Sequence, residues 1–209
     1  MRKIFLSCLL IFALIFSCGA AKKSDDRKRM GIFISNFTEI GLMNFDLENK
    51  ISDDGVLHLG DPDNMHELIR FGIAHNIINN KKLIGKCKRK GCEFGPDTLS
   101  KEAVASSVKK YFDLPVKHKS IKDPNDYPPF TDFDGKLYHF DKSEWGTDTV
   151  YYADVQKVEQ NEKILTMSGE LYDFNNPSDR PATFTAQAKP YTWNKKDTWA
   201  ILSLNVEWK

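Results

Sequence analysis

Residues 202–208 alternate without exception: Leu202, Leu204, Val206 and Trp208 are apolar, and Ser203, Asn205 and Glu207 between them are polar. Side chains on a strand point to opposite faces with a period of two, so this segment reads as a strand with one buried and one wet face. Three more stretches, Thr149–Val158, Ile164–Tyr172 and Ala182–Tyr191, are rich in β-branched and aromatic residues. Turn residues separate them: Gln160-Asn161, Asn175-Asn176-Pro177 and Asn194-Lys195-Lys196-Asp197. The carboxy-terminal part therefore predicts an antiparallel meander whose inner face needs a cover.

The cover is predicted upstream. Asp61-Pro62 supplies a cap and a first-turn proline, and Met65, Leu68, Ile69, Ile73 and Ile77 follow at helical spacing to a stop at Asn79-Asn80. Ser100 caps a second helix with Glu102 in its first turn and Val104, Val108, Tyr111 and Phe112 as its apolar stripe. From Leu114 to Gly135 the prolines exclude a helix, and Asp134-Gly135 marks a hairpin between Phe130–Phe133 and Lys136–Phe140. Met30–Ser35 is a candidate short strand. The class is α+β: two helices packed on a carboxy-terminal antiparallel meander. This order of elements resembles cystatin-like and NTF2-like architectures, a likeness that brings no functional residues with it.

The amino terminus sets the address. Met1-Arg2-Lys3 is basic, Ile4–Phe16 is apolar or small, and Ser17-Cys18-Gly19-Ala20 is small, the layout of a secretory signal. Thirteen residues span roughly 20 Å as a helix, short of a bilayer core of about 30 Å. Ile15-Phe16-Ser17-Cys18 resembles the lipobox of bacterial lipoproteins, with Phe16 larger than the residue usual there. The resemblance implies cleavage before Cys18, diacylglycerol on its thiol and a fatty acyl group such as palmitate on its new amine. Gly19 in place of Asp leaves outer-membrane, surface or periplasmic-face placement open. Residues 1–17 are then the signal, 18–29 the lipidated cysteine and a charged tether, and 30–209 one domain.

Composition narrows the partners. Of the 209 residues, 192 remain after residue 17, and loss of Arg2 and Lys3 leaves 28 basic against 29 acidic side chains. A near-neutral mixed surface on an exported chain argues against nucleic-acid binding. The expected partners are the membrane, through the anchor, and an envelope protein or polymer.

With Cys8 in the signal and Cys18 acylated, Cys87 and Cys92 remain and read as a disulfide around Lys-Arg-Lys-Gly. A loop this short contributes about 2 kcal/mol at most. Zinc would need further ligands, and neither a second cysteine pair nor a His-x₃₋₅-His accompanies the pair, so no metal or cofactor is expected. Lys81, Lys82, Lys86, Lys88, Arg89 and Lys90 form the most biased charge run and a candidate patch for anionic lipid or cell-wall polymer. Asp132-Phe133-Asp134-Gly135 does not complete a calcium loop, because Phe130 and Asp141 stand where its first and twelfth ligands would be.

His75, near the end of the first predicted helix, is the candidate acid or base of an enzyme using a pocket between helix and sheet. No nucleophile signature accompanies it, and His58, His66, His118 and His139 lack ligand spacing. A non-catalytic binding or structural role is the preferred reading. Tyr191, Trp193, Trp199 and Trp208 are candidate contacts for sugar or protein.

Overall fold

The computed structural model describes residues 26–47, 56–122, 128–146 and 149–209. Cys18 and the signal segment lie outside them. The fold is α+β. Helix α1 (residues 26–38) leads into two short strands, β1 (Phe45–Asp46) and β2 (Leu57–His58). Helix α2 (Met65–Asn79) follows, then β3 (Gly85–Lys86), β4 (Asp97–Ser100) and helix α3 (Lys101–Phe112). A hairpin of β5 (Asp132–Phe133) and β6 (Leu137–Phe140) precedes the meander β7 (Tyr151–Asn161), β8 (Ile164–Asp173), β9 (Ala182–Trp193) and β10 (Lys196–Trp208).

Two sheets result. The main sheet has the order β2-β1-β10-β9-β8-β7, antiparallel except for the short β1–β2 pair. The smaller one has the order β3-β4-β6-β5 and is antiparallel throughout. Helices α2 and α3 lie between them. Leu68, Phe71, Val108, Tyr111 and Phe112 join the core over the main sheet, with Met167, Phe184, Ile201 and Leu204. Ile69, Ile73 and Val104 join a second core with Leu99, Tyr138 and Phe140 of the small sheet. Burial on both sides explains why α2 carries apolar residues around most of its circumference.

Local chemistry sets the helix ends. The Asp61 carboxylate accepts from Asp63 N at 2.9 Å, starting a 3₁₀ turn (Pro62–Asn64) that runs into α2. Ser100 Oγ accepts from Ala103 N at 3.2 Å to cap α3, and Asp113 ends it at φ 57°. The β9–β10 turn is two residues long, with Asn194 and Lys195 at φ 49° and 64°, the pairing that matches the twist of a tight hairpin.

The structure corrects several expectations. The chain has a third helix: residues 26–38 are helical, replacing both the strand expected at Met30–Ser35 and the last residues of the expected tether. The reason is visible in Met30, Phe33, Ile34 and Phe37, which fall at helical spacing and are all buried, while Ile32 points outward. The expected β5–β6 hairpin is joined by β3 and β4 into a four-stranded second sheet, an extension not expected from the sequence because β3 and β4 are too short to carry a period. Trp208, expected beside Leu204 and Val206 in the core, is 52% exposed, whereas those two are buried. An irregularity between Ile201 and Ser203 shifts the register of β10, so Ile201 rather than Leu202 joins the main core.

Candidate functional site

Strand β7 is an edge of the main sheet, and an edge exposes unpaired backbone groups. Helix α1 satisfies several of them. Ser35 Oγ accepts from Ala153 N at 3.0 Å, Thr38 Oγ1 donates to Tyr151 O at 2.6 Å, and Arg27 donates to Gln156 O at 3.2 Å. A Cβ on Gly31 would stand 2.7 Å from Ala153 O, so the missing side chain is what lets the helix approach the strand.

Along this seam runs a groove of about 760 Å³. Tyr152 and Tyr172 supply half-buried rings, Asn36, Asn79 and Gln156 supply amides, and Glu39 and Asp154 supply carboxylates. Arg27 and Lys28 stand at one end, so the formal charges of the lining balance. The Tyr152 ring lies 6.1 Å from Tyr172 and 5.2 Å from Phe174, which is 55% exposed. Glu39 also borders a second cavity of about 290 Å³ walled by Leu42, Met43, Phe71 and Trp145, with the buried Glu67–Arg70 pair at 2.8 Å. Burial raises the Glu39 carboxyl above its usual range, and a hydrogen bond from Asn79 at 3.1 Å acts in the opposite direction.

His75 lines neither cavity. It is 4% exposed between the helices, with Nδ1 3.1 Å from Ser107 Oγ and Nε2 3.2 Å from the Tyr111 hydroxyl. Tyr111 in turn donates to Asn36 Oδ1 at 3.0 Å, and Asn76 donates to Ser107 Oγ at 2.8 Å. Burial, with nearby Lys110 adding to it, pushes the imidazole down to about 4, so the ring is neutral near pH 7. This network joins α1, α2 and α3. Its chemistry is that of a satisfied buried polar cluster, and among the described residues no carboxylate hydrogen-bonds to the imidazole.

The basic run divides into two kinds of residue. All six side chains are exposed. Lys86 pairs with the buried Asp97 at 2.7 Å, and Arg89 pairs with Asp134 and lies 3.8 Å from Asp132. Lys81, Lys82, Lys88 and Lys90 enter no ion pair among the described residues. Between these cations, Cys87 and Cys92 stand at disulfide distance, their Cα atoms 6.6 Å apart. The Asp134-Gly135 hairpin forms as expected: Asp134 Oδ1 accepts from the backbone N–H groups of Lys136 and Leu137 at 2.8 and 2.7 Å.

The remaining histidines have separate surroundings. His66 Nε2 lies 3.1 Å from Glu67, His118 Nδ1 lies 2.7 Å from the Tyr138 hydroxyl, and His58 sits in β2. His139 faces Asp134 from β6, its Nε2 3.0 Å from the carboxylate. Of the aromatics at the last hairpin, Tyr191 and Trp193 are half-buried with centroids 6.5 Å apart. Trp199 packs on Phe33 at 5.7 Å and is covered by Arg29 at 5.4 Å. Sequence reasoning missed the groove, because α1 was not foreseen and the lining comes from residues more than 100 positions apart.

No family model, curated protein or solved structure matches this chain. Among the described residues no helix is long and apolar enough to cross a membrane.

Proposed function

We propose that the chain is a lipid-tethered envelope protein whose α+β domain binds a polyhydroxylated ligand, the sugar portion of a glycan or glycolipid, in the groove between α1 and β7. The observation that carries the reading is the groove's lining. Tyrosine rings offer flat apolar faces, amides and carboxylates offer both donors and acceptors, and balanced charge suits a neutral hydroxylated ligand better than a polyanion. The burial of His75, away from both cavities, favours binding over the alternative of an enzyme with that residue as acid or base.

The tether supports the same reading. Cys18 and residue 26, the first of α1, are eight residues apart, a reach of at most about 28 Å. Arg27 and Lys28 line the groove, so an acylated Cys18 keeps the groove near the membrane and its headgroups. Two or more acyl chains hold such a domain firmly.

The test has two arms. The chain expressed in bacteria with an alkyne-bearing fatty acid is expected to label and to fractionate with membranes, and the Cys18→Ala variant to do neither. Wild-type protein is expected to bind soluble envelope glycan fragments, and the Tyr152→Ala/Tyr172→Ala variant to lose at least tenfold in affinity. Labelling that survives removal of Cys18, or glycan binding unchanged by the double substitution, contradicts the proposal.

A further inference from the structure

The small sheet brings a third ligand to the cysteine pair. A ring nitrogen of His139 and the sulfurs of Cys87 and Cys92 all lie within 4.8 Å of one another. The two cysteines belong to the loop between β3 and β4, held by Cys87 N donating to Pro96 O at 2.8 Å. His139 belongs to β6, opposite Thr98 of β4. Sheet pairing therefore sets this convergence.

The histidine is prepared for the role. It is 4% exposed, and its Nδ1 is a buried polar atom with no hydrogen-bond partner among the described residues. Its Nε2 lies 3.0 Å from Asp134 Oδ2. When Nε2–H donates to that carboxylate, Nδ1 carries the lone pair. The carboxylate is itself fixed by Lys136 N and Leu137 N on Oδ1 and by Arg89 on Oδ2. A carboxylate that orients an imidazole from its far side is the usual outer partner of a metal-bound histidine.

We propose that, with the cysteines reduced, Cys87, Cys92 and Nδ1 of His139 bind one Zn²⁺ ion, with Asp134 as the positioning residue. Two thiolates and an imidazole are the donor set that zinc prefers, and a water completes four-coordination. Lys86, Lys88, Arg89 and Lys90 stand exposed around the loop. Two thiolates and Zn²⁺ make a neutral centre, so the surrounding cations do not oppose it. The disulfide and the metal site are alternative states of one sulfur pair. A phosphine reductant converts the disulfide to two thiols, taking oxygen from water to become its oxide. Zn²⁺ then displaces both thiol protons to the buffer. This proposal does not depend on the groove or on its ligand.

The experiment uses full-length protein in detergent, reduced with a phosphine without oxygen and titrated with Zn²⁺ against a chromophoric chelator. Co²⁺ replaces Zn²⁺ in a parallel titration. One ion per chain is expected, with the visible bands of tetrahedral Co²⁺ and a sulfur-to-metal charge-transfer band in the near ultraviolet. Asp134→Asn is expected to weaken Zn²⁺ binding about 10- to 100-fold, and Cys87→Ser to abolish the charge-transfer band's two-sulfur intensity. In wild-type protein the ¹⁵N shift of His139 Nδ1 is expected to move on metal addition, a readout that needs no variant to fold. The proposal is overturned if the reduced wild type binds no stoichiometric Zn²⁺, if Co²⁺ gives no tetrahedral spectrum, or if the His139 Nδ1 signal does not respond.

Discussion

The hydroxyl of Ser35 accepts the backbone N–H of Ala153 at 3.0 Å, fastening α1 along the open edge of the main sheet. Ser35 also donates to Gly31 O at 2.8 Å, so a single hydroxyl serves both helix and strand. The contact closes an edge that would otherwise be a site for pairing with another chain, and it forms one wall of the groove.

Removing that hydroxyl should therefore be costly for its size. Ser35→Ala leaves a buried N–H without a partner, a loss of about 1–3 kcal/mol. The expected results are a lower denaturant midpoint and faster amide exchange at Ala153 than at Phe184 in the interior strand β9. Unchanged exchange at Ala153 would mean that α1 does not guard the edge.

Gly72 gives a prediction whose sign separates two effects. Helix propensity alone favours alanine over glycine by about 1 kcal/mol. The structure opposes it: a Cβ at position 72 would lie 2.6 Å from Val104 Cγ1 and 3.0 Å from Val104 O. The crossing of α2 and α3 is too close to absorb a methyl group, so Gly72→Ala is expected to destabilise by about 1–3 kcal/mol. Chemical unfolding decides the matter, and a stabilised variant would show that the helices can separate without loss.

Much of this architecture was legible in the sequence, and the parts that were not have physical reasons. Period-two alternation and Asn-rich turns carry the meander because each strand has one wet face. Caps at Asp61 and Ser100 carry α2 and α3 because their chemistry is local. Helix α1 was hidden because a charged stretch, Asp25–Arg29, precedes a continuous apolar run, Met30–Ile34, and neither alone shows a helical period. The groove and the Cys87–Cys92–His139 cluster were invisible because each joins residues far apart in the chain through tertiary pairing. The cysteine pair itself was readable from its spacing, and the position of His139 beside it was not.

His75 predicts a pH dependence. Its folded value is about 4 against 6.5 for the ordinary imidazole, so between these values the unfolded chain binds a proton that the folded state refuses. Above pH 6.5 both states are neutral there and nothing is lost. As pH falls from 6.5 to 4, this residue withdraws stability on the order of 3 kcal/mol, and the effect levels off below. Thermal unfolding of wild type and His75→Gln across this window should converge as pH falls, the variant starting lower but losing less. Parallel curves would mean that His75 is not shielded from protonation.

The basic loop predicts a division of labour. Lys86 holds the Asp97 carboxylate, which is buried on β4, while Lys88 and Lys90 extend from the loop into solvent. Because Lys86 is itself largely exposed, its pair is screened and Lys86→Ala should cost about 1 kcal/mol. Lys88→Ala and Lys90→Ala should leave the unfolding midpoint within about 0.5 kcal/mol of wild type. Equal effects at all three positions would contradict the pairing.

The groove between α1 and β7 gives the most direct test of ligand binding. Isotopically labelled chain carrying Cys18→Ala, titrated with soluble envelope glycan fragments, gives the direct measurement by chemical-shift mapping. Shifts are predicted to cluster on Asn36, Asn79, Tyr152 and Tyr172 and to saturate together. No shifts at millimolar ligand, or shifts gathered on another surface, would contradict a ligand site between α1 and β7.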